Sequence, residues 1–466
     1  MLNRLDGKVP GWRETLLSWC DRRLLYIFLL GCASGFPWVL VGSSMSGWLS
    51  DAGLSRAAIG YFGSVTVVYA LNFLWSPLLD RVKLPWFCAR LGQRRGWILL
   101  MQLCVFCATL AIAFTNPTES LLWTSLLALC ITTCSATQDV AIDAYRIDII
   151  GDDKPRLPPA AAMAVIGWWT GYSLPGYFAF AYADSLGWNV IYLGLAGFVA
   201  LLMVFTLLIR EPVTDREFLQ QQAERRYQQV FSGAEGVWRR LLARVSVTVI
   251  EPFADFFRRN GWQLALMILL FVFLFKLGEA FLGRMSIVFY REVGFSNEQI
   301  ADYSKLIGWF ATVAFTLLGS LINIRYGIIR GLFVGGIAMA ASNLMFAWMA
   351  IAGPKESLFL ATILVDNFTT AFATVAMVSF LSWLTGRAFS AVQYALLSSL
   401  SNLGRTSLSS FSGEMVDAMG GNWALFFVIT ALMVIPALIL LVIIGRTFRR
   451  REQQAASGAQ PAETGQ

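Results

Sequence analysis

Twelve stretches of this chain are long and apolar enough to cross a bilayer as helices, and that count narrows the fold before any single residue is considered. A hydrocarbon core about 30 Å thick needs about 20 apolar residues per helical span. Windows of that kind fall at 24–46, 58–79, 97–115, 121–143, 159–182, 189–209, 262–289, 299–321, 331–352, 358–384, 389–412 and 423–445. An even number returns both termini to the same side. Lys and Arg in short loops are retained in the cytoplasm. The N-terminus, the loops near 80–96, 144–158, 210–260, 322–330 and 385–388, and the C-terminal tail hold 29 of them, against three in the alternate loops, Arg56, Arg291 and Lys355. Both termini are therefore expected in the cytoplasm, and the net charge of +7 needs no nucleic-acid partner.

The chain is 57% hydrophobic and 14% charged, which excludes a soluble globular enzyme. Residues 1–23 are polar and charged, the first apolar run is long enough to span, and no small-residue cleavage site follows it, so no cleavable signal is expected. Histidine is absent. Proton coupling would have to run through carboxylates, and His-based catalysis or metal binding is excluded. Cys104 and Cys107 form a CxxC inside an apolar helix with no second pair, a packing feature rather than a metal or redox site. No cofactor is expected, and no nucleophile motif marks an enzyme.

The chain also echoes itself. GLSRAAIG at 53–60 recurs as GFSNEQIA at 294–301, and SPLLDR at 76–81 is echoed by GSLINIR at 319–325, with Asp80 matching Asn323. Each echo holds the same place in a six-helix block. The expected fold is all-α and membrane-integral: a six-helix bundle at 1–209, a hydrophilic linker at 210–260, a second bundle at 261–445 related to the first by a pseudo-two-fold axis, and a disordered tail at 446–466. Parallel six-helix repeats with cargo bound between them are the design of major facilitator transporters. Within the linker, 237–262 places Arg and apolar residues at helical spacing, which suits an amphipathic helix tethered to the inner membrane face. Residues 220–229 are polar throughout and read as a mobile linker or a short exposed helix.

Ionisable residues at bilayer depth cost about 2.5 to 3.5 kcal/mol each on insertion scales, so they persist where a cavity or a partner compensates. The fourth span carries Gln138, Asp139 and Asp143; the seventh Lys276, Glu279 and Arg284; the eighth Asp302 and Lys305; the tenth Asp366 and Asn367; the eleventh Arg405 and Glu414. At about 1.5 Å per residue, Asp366 falls near the midplane and Asp139 near the cytoplasmic end of the fourth span. Asp139 and Asp143 share a helix face. They can exchange protons with the cytoplasm or pair with Arg146, Arg94 and Arg95. Lys276 and Glu279, three apart, can equally be a mutually neutralising pair. Cations in the second half favour an anionic cargo, and Trp38, Trp168, Trp169, Tyr172 and Tyr177 offer aromatic faces that suit sugar rings, although Trp also gathers at lipid interfaces. Gly31, Gly35 and Pro37 permit close helix contact and a kink. Asp80 and Arg81, with Arg94, Arg95 and Arg146, are the candidate cytoplasmic latch, breaking and forming as two halves rock.

Six dispersed motifs carry a family resemblance over nearly the whole chain: GCASGFP at 31–37, FLWSPLLDR at 73–81, RRGW at 94–97, CSATQDVAIDAYRID at 134–148, FKLGEAF at 275–281 and FSAVQYALLSSLSNLGR at 389–405. Together they resemble the AmpG-type muropeptide permeases of Gram-negative bacteria. The resemblance implies an inner-membrane importer driven by the proton gradient. Its cargo would be anhydro-muropeptides, N-acetylglucosamine joined to 1,6-anhydro-N-acetylmuramoyl peptides, which are recycled in the cytoplasm and feed the induction of chromosomal beta-lactamase. It also implies polar roles for Gln138, Asp139, Asp143, Lys276, Glu279, Lys305 and Arg405. Two departures stand out: Asn72 replaces an expected Lys, and the polar tail lacks the extra helices of some members. Substrate contacts are thus expected from Gln138, Lys276, Lys305, Asn367, Arg405, Trp168 and Trp169, and proton coupling or gating from Asp139, Asp143, Glu279 and Asp366, in a chain expected to be monomeric. Rival readings are a related carrier of another bulky anion, such as an acyl-CoA or a siderophore, or a membrane sensor or enzyme.

Overall fold

The computed structural model describes residues 19–53, 64–116, 120–214, 216–230, 246–295, 308–409 and 411–458. The echoes at 54–60 and 296–301, the linker stretch 237–245, Asp302 and Lys305 lie outside them.

The described residues are helical, without strands. In chain order the helices are α1 (Arg22–Gly35), α2 (Ser44–Asp51), α3 (Val68–Leu71), α4 (Ser76–Arg81), α5 (Phe87–Leu91), α6 (Gln93–Ala113), α7 (Leu121–Ile150), α8 (Leu157–Leu186), α9 (Trp188–Leu208), α10 (Arg216–Val230), α11 (Glu251–Asn260), α12 (Trp262–Leu274), α13 (Leu277–Val293), α14 (Gly308–Tyr326), α15 (Ile328–Ala352), α16 (Glu356–Leu384), α17 (Ser390–Ser409), α18 (Ser412–Ala418), α19 (Trp423–Leu432) and α20 (Ile435–Gly458). Eight continuous helical runs among the described residues are long and apolar enough to cross a membrane, and Phe310–Tyr326 is a shorter apolar helix. This is a multi-pass membrane protein.

Sequence punctuation sets the boundaries. Gly187 adopts φ +78°, a conformation that costs other residues dearly, and it both ends α8 and begins α9, turning the chain between two spans without a loop. The first span is not one regular helix: α1 closes at Gly35, just before Pro37, and a π-helical turn at Val39–Ser43 leads into α2. The seventh span is likewise interrupted, α12 ending at Leu274 and α13 starting at Leu277, so Lys276 sits at the joint. The last helix runs to Gly458, beyond the point where a disordered tail was expected to begin.

The contacts divide the chain into two compact units. One contains Cys20–Phe256 together with Ser382–Ser399; the other contains Phe257–Leu381 and the residues from Leu400 onward. The first unit therefore borrows the end of α16 and the first half of α17 from late in the sequence. Its core is a continuous apolar cluster that includes Phe36, Leu40, Met45, Ile98, Val105, Ile131, Tyr145 and Tyr192, and Ala391 and Ala395 belong to it as well. The core of the second unit is aromatic, with Phe289, Phe346, Phe359, Trp423, Phe426 and Phe427 packed ring on ring.

Small residues decide how closely α1 and α8 approach. A side chain at Gly35 would overlap the backbone of Trp168, one at Gly171 the backbone of Cys32, and one at Gly167 the carbonyl of Phe28. Glycines from both helices therefore interlock along one seam, the close packing that small residues allow in membranes. That seam fixes Trp168 against Trp38, with ring centroids 6.4 Å apart.

Candidate functional site

The densest polar constellation lies in the first unit and centres on Arg94, in the first turn of α6. Its guanidinium is 1% exposed. It donates to Asp80 Oδ1 at 2.7 Å, Asp148 Oδ2 at 2.8 Å, Ser390 Oγ at 2.7 Å and the Leu79 carbonyl at 3.2 Å. Ser390 in turn donates to Asp148 Oδ1 at 2.8 Å, and the backbone N–H of Val392 donates to Asp80 Oδ2 at 3.1 Å. Every oxygen of both carboxylates therefore has a donor, which is what allows three charges to persist in an apolar interior. Two carboxylates against one guanidinium leave an excess negative charge. It is offset where Asp80 meets the N-terminal turn of α17, the positive end of a helix dipole.

The residues expected to form one latch divide among separate positions. Asp80 and Arg94 meet as anticipated. Arg95 instead turns to the end of α9, donating to the carbonyls of Thr206 and Leu207, while Glu211 accepts the backbone N–H groups of Arg94 and Arg95 and so caps α6. Arg81 pairs with Glu224 of α10 at 3.1 Å. Arg146 forms its own node: it bonds Asp143 at 2.8 Å and Ser382 at 2.7 Å and lies over the ring of Tyr394 at 4.9 Å.

Asp148, Ser390 and Gln220 belong to this region but were not singled out from the sequence. Asp148 was visible as an acid flanked by isoleucines near a helix end. Ser390 lies inside the motif at 389–405 and Gln220 opens the polar stretch at 220–229, but neither position signals the contact it makes. Gln220 donates to the carbonyls of Asp80 and Ala388, and Gln393 donates to the Pro252 carbonyl and Asp255, so α10 holds the turn that precedes α17 and α11 holds the first turn of α17 itself. The polar stretch 220–229 is thus helical and partly buried rather than a free linker.

A second polar region of the same unit surrounds Asp139. Gln138 donates to the Ala33 carbonyl at 2.8 Å, which ties α7 to α1. Asp139 has Ser34 as a hydroxyl neighbour, and its Oδ1 is buried without a hydrogen-bond partner among the described residues. Beside it Tyr69 bonds Ser135, and the rings of Tyr69, Trp38, Trp168 and Tyr172 follow one another, stacked at 4.6 Å between Trp38 and Tyr69 and at 5.5 Å between Trp168 and Tyr172. Trp169 meets Trp168 edge-on. The aromatic faces and the acid read separately in the sequence are neighbours in the fold.

In the second unit, the interruption of the seventh span presents Lys276. Its ammonium pairs with Glu279 at 3.1 Å and donates to Thr374 at 2.7 Å. Asp366 accepts from Ser342 at 2.9 Å, and both Asp366 and Arg405 lie within electrostatic reach of Lys276. Asn367 accepts from Thr312 and donates to the Ile363 carbonyl, one turn back on its own helix. Arg405 makes no hydrogen bond or ion pair among the described residues. Around Lys276 the described residues therefore gather two cations and two carboxylates, of which Lys276 and Glu279 pair with each other, while Arg405 is in no ion pair with a described residue. Such a set can hold an anionic group and pass a proton between carboxylates. Lys305, expected to join it, lies outside the described residues.

Comparison with known proteins agrees with this architecture. A family model for the Major Facilitator Superfamily matches residues 27–388. The chain is 32% identical over 428 residues to a protein named putative transporter AmpG 4 of Rickettsia felis, covering 91% of this chain and 97% of that one. It is 32% identical over 427 residues to the anhydromuropeptide permease of Escherichia coli K12, covering 91% and 80%. Among solved structures it is similar to the proton:xylose symporter XylE bound to 6-bromo-6-deoxy-D-glucose, with a TM-score of 0.62 at 14% identity over 92% of this chain and 95% of that one. At that identity the likeness speaks for the fold alone.

Proposed function

The chain belongs to the AmpG-type permeases of the major facilitator superfamily, and from that premise we propose that it imports anhydro-muropeptides across the bacterial inner membrane, with both termini cytoplasmic, in symport with protons. A muropeptide with a tripeptide stem carries three carboxylates and one amine. An inside-negative potential opposes its uptake by about 2.3 kcal/mol per charge per 100 mV. Co-transported protons offset that cost, and the buried carboxylates Asp139 and Asp366 are the groups assigned to carry them, with Asp143 and Glu279 as their gating partners.

One observation supports the reading: among the described residues Arg405 stands without a counter-ion beside the paired Lys276 and Glu279. A cation at bilayer depth is expensive unless something neutralises it, and a cargo carboxylate would do so. Lys276, Lys305, Arg405 and Asn367 are assigned to the peptide. Gln138, Trp168 and Trp169 are assigned to the sugars, whose apolar faces stack on indole rings. The latch role falls to Asp80, Arg81, Arg94, Arg95 and Arg146. Delivery of this cargo feeds beta-lactamase induction in cells that carry that circuit.

The test is uptake of labelled anhydro-muropeptide into proteoliposomes with and without an imposed pH gradient, challenged by unlabelled muropeptide, an acyl-CoA or a ferric siderophore. Gradient-dependent uptake, displaced by muropeptide alone, is expected. Displacement by another of these anions would replace the cargo, and wild-type coupling in both Asp139→Asn and Asp366→Asn would remove the proton carriers.

A further inference from the structure

A cavity of about 300 Å³ opens beside the Arg94 constellation and shares Asp148 with it; Arg22, Arg23, Tyr26, Arg210 and Glu211 also line it. Its charges do not cancel. Arg23 pairs with Asp21 at 2.7 Å and Asp153 at 3.1 Å, and Arg156 pairs with the same two carboxylates, so that four-residue group is balanced within itself. Asp148 is taken up by Arg94 and Ser390, and both oxygens of Glu211 accept the N–H groups that open α6. The guanidiniums of Arg22 and Arg210 remain, with no hydrogen bond or ion pair among the described residues.

From this we infer that the cavity is a binding site for the phosphodiester headgroup of an anionic glycerophospholipid. Two uncommitted guanidiniums are well matched to a phosphodiester, whose two free oxygens share one negative charge. The Tyr26 hydroxyl adds a donor. The surroundings favour a lipid over free phosphate. Leu25 stands one turn from Arg22 on the same helix face and is 56% exposed, and Leu207 and Leu208, just before Arg210, are 48% and 71% exposed. Acyl chains would lie along these leucines while the headgroup enters the cavity. The inference rests on the orientation proposed above, which places this end of α1, α7 and α9 at the inner leaflet, where anionic lipid meets basic residues. It is independent of which cargo is carried.

The experiment is native mass spectrometry and thermal unfolding of the detergent-solubilised full chain, titrated with dioleoyl phosphatidylglycerol, with the zwitterionic phosphatidylcholine, or with inorganic phosphate. The variants are Arg22→Gln/Arg210→Gln, the charge-conserving Arg22→Lys/Arg210→Lys, and Arg449→Ala/Arg450→Ala as a control of equal charge loss. One tightly held phosphatidylglycerol and a raised Tm are expected for the wild type and the control. The Gln pair should bind about thirtyfold more weakly, each arginine near the surface accounting for roughly fivefold, and the Lys pair should fall between. Equal loss in the control would make the effect general charge attraction and overturn the site. Equal stabilisation by phosphatidylcholine would overturn the requirement for an anion, and equal stabilisation by inorganic phosphate the assignment to a lipid. Because the reading is bound lipid rather than uptake, its failure leaves the transport proposal untouched, and the reverse also holds.

Discussion

Arg94 and Asp80 meet at 2.7 Å with both side chains 1% exposed, and the same guanidinium holds Asp148 at 2.8 Å. The arrangement makes Arg94 the one member of the cluster that cannot be spared, because its loss strands two buried carboxylates together. Arg94→Ala is expected to lower unfolding stability by about 3 to 5 kcal/mol, or to prevent accumulation of folded protein. Asp148→Asn, which keeps shape and acceptor and leaves Asp80 to neutralise Arg94, should cost distinctly less. Thermal unfolding of detergent-solubilised protein separates the two, and equal losses would count against Arg94 as the hub.

The glycine seam between α1 and α8 makes a prediction that needs no electrostatics. Gly35→Ala sets a methyl against the Trp168 backbone, which has no rotamer by which to yield, and should cost about 1 to 3 kcal/mol or more as overpacking. Gly194 and Gly197 of α9 have open space where a Cβ would go. Alanine there should be neutral or stabilising by up to about 1 kcal/mol. The contrast is measured by Tm on the three single variants, and a harmless Gly35→Ala would refute the seam.

Whether Lys276 and Glu279 serve cargo or only each other is decided by a double-mutant cycle. If the pair is merely self-neutralising, Lys276→Ala and Glu279→Ala each leave a buried charge alone, and the double variant recovers uptake. The proposed carboxylate contact predicts the opposite: the double variant stays impaired, with KM for an anhydro-muropeptide raised about tenfold, near the 1.4 kcal/mol of one charge-assisted bond. Uptake kinetics in proteoliposomes give the answer.

Outside the spans, Asp21 sets an acid limit. Partial burial alone would push its carboxyl up, but hydrogen bonds from Arg23 and the charges of Arg23 and Arg156 outweigh burial and hold it below the usual carboxylate range. A lowered folded-state value means that its stabilisation is complete above the unfolded value, about 3.9, and is lost as pH falls through the folded one. Asp21→Asn should therefore be less stable than wild type at pH 6, and the difference should shrink as pH drops below about 4. Unfolding followed from pH 6 to pH 3 tests this, and a difference that does not change with pH would refute it.

Gln220 offers a fourth structural test. Its amide satisfies two carbonyls, those of Asp80 and Ala388. Gln220→Leu leaves both without that donor and should cost about 1 to 3 kcal/mol, with protease cleavage near residue 388 rising in step. Unchanged proteolysis would mean that α10 does not hold that turn.

The sequence and the fold agree where the physics is local. Spans were legible because apolar length is a property of one segment, and the break in the first span was legible because Pro37 has no amide hydrogen. The buried charges were legible because each is costly alone. What each charge touches was not. Arg94 and Arg95 are adjacent and identical in type, and only the rotation of α6 decides that one becomes the hub while the other caps α9. Ser390 reaches Asp148 across 242 residues of chain, and no periodicity encodes that meeting. The division between units was hidden for the same reason, since residues 382–399 pack with helices that precede them by hundreds of positions.

Asp80 and Asn323 occupy matching places in the two sequence repeats but live in different circumstances. Asp80 pairs ionically with Arg94 through one oxygen and accepts the Val392 N–H on the other, whereas Asn323, 1% exposed, has neither amide atom hydrogen-bonded among the described residues and presses its oxygen so near Gly331 that a methyl there would collide. The two matching places thus carry a charged network in one and a steric fit in the other. Such asymmetry cannot set the direction of net flux, which belongs to the gradients alone. Under the latch role proposed for Asp80 it would set where the idle carrier waits, and because the Asp80–Arg94 pair is buried, added salt should move that waiting point little.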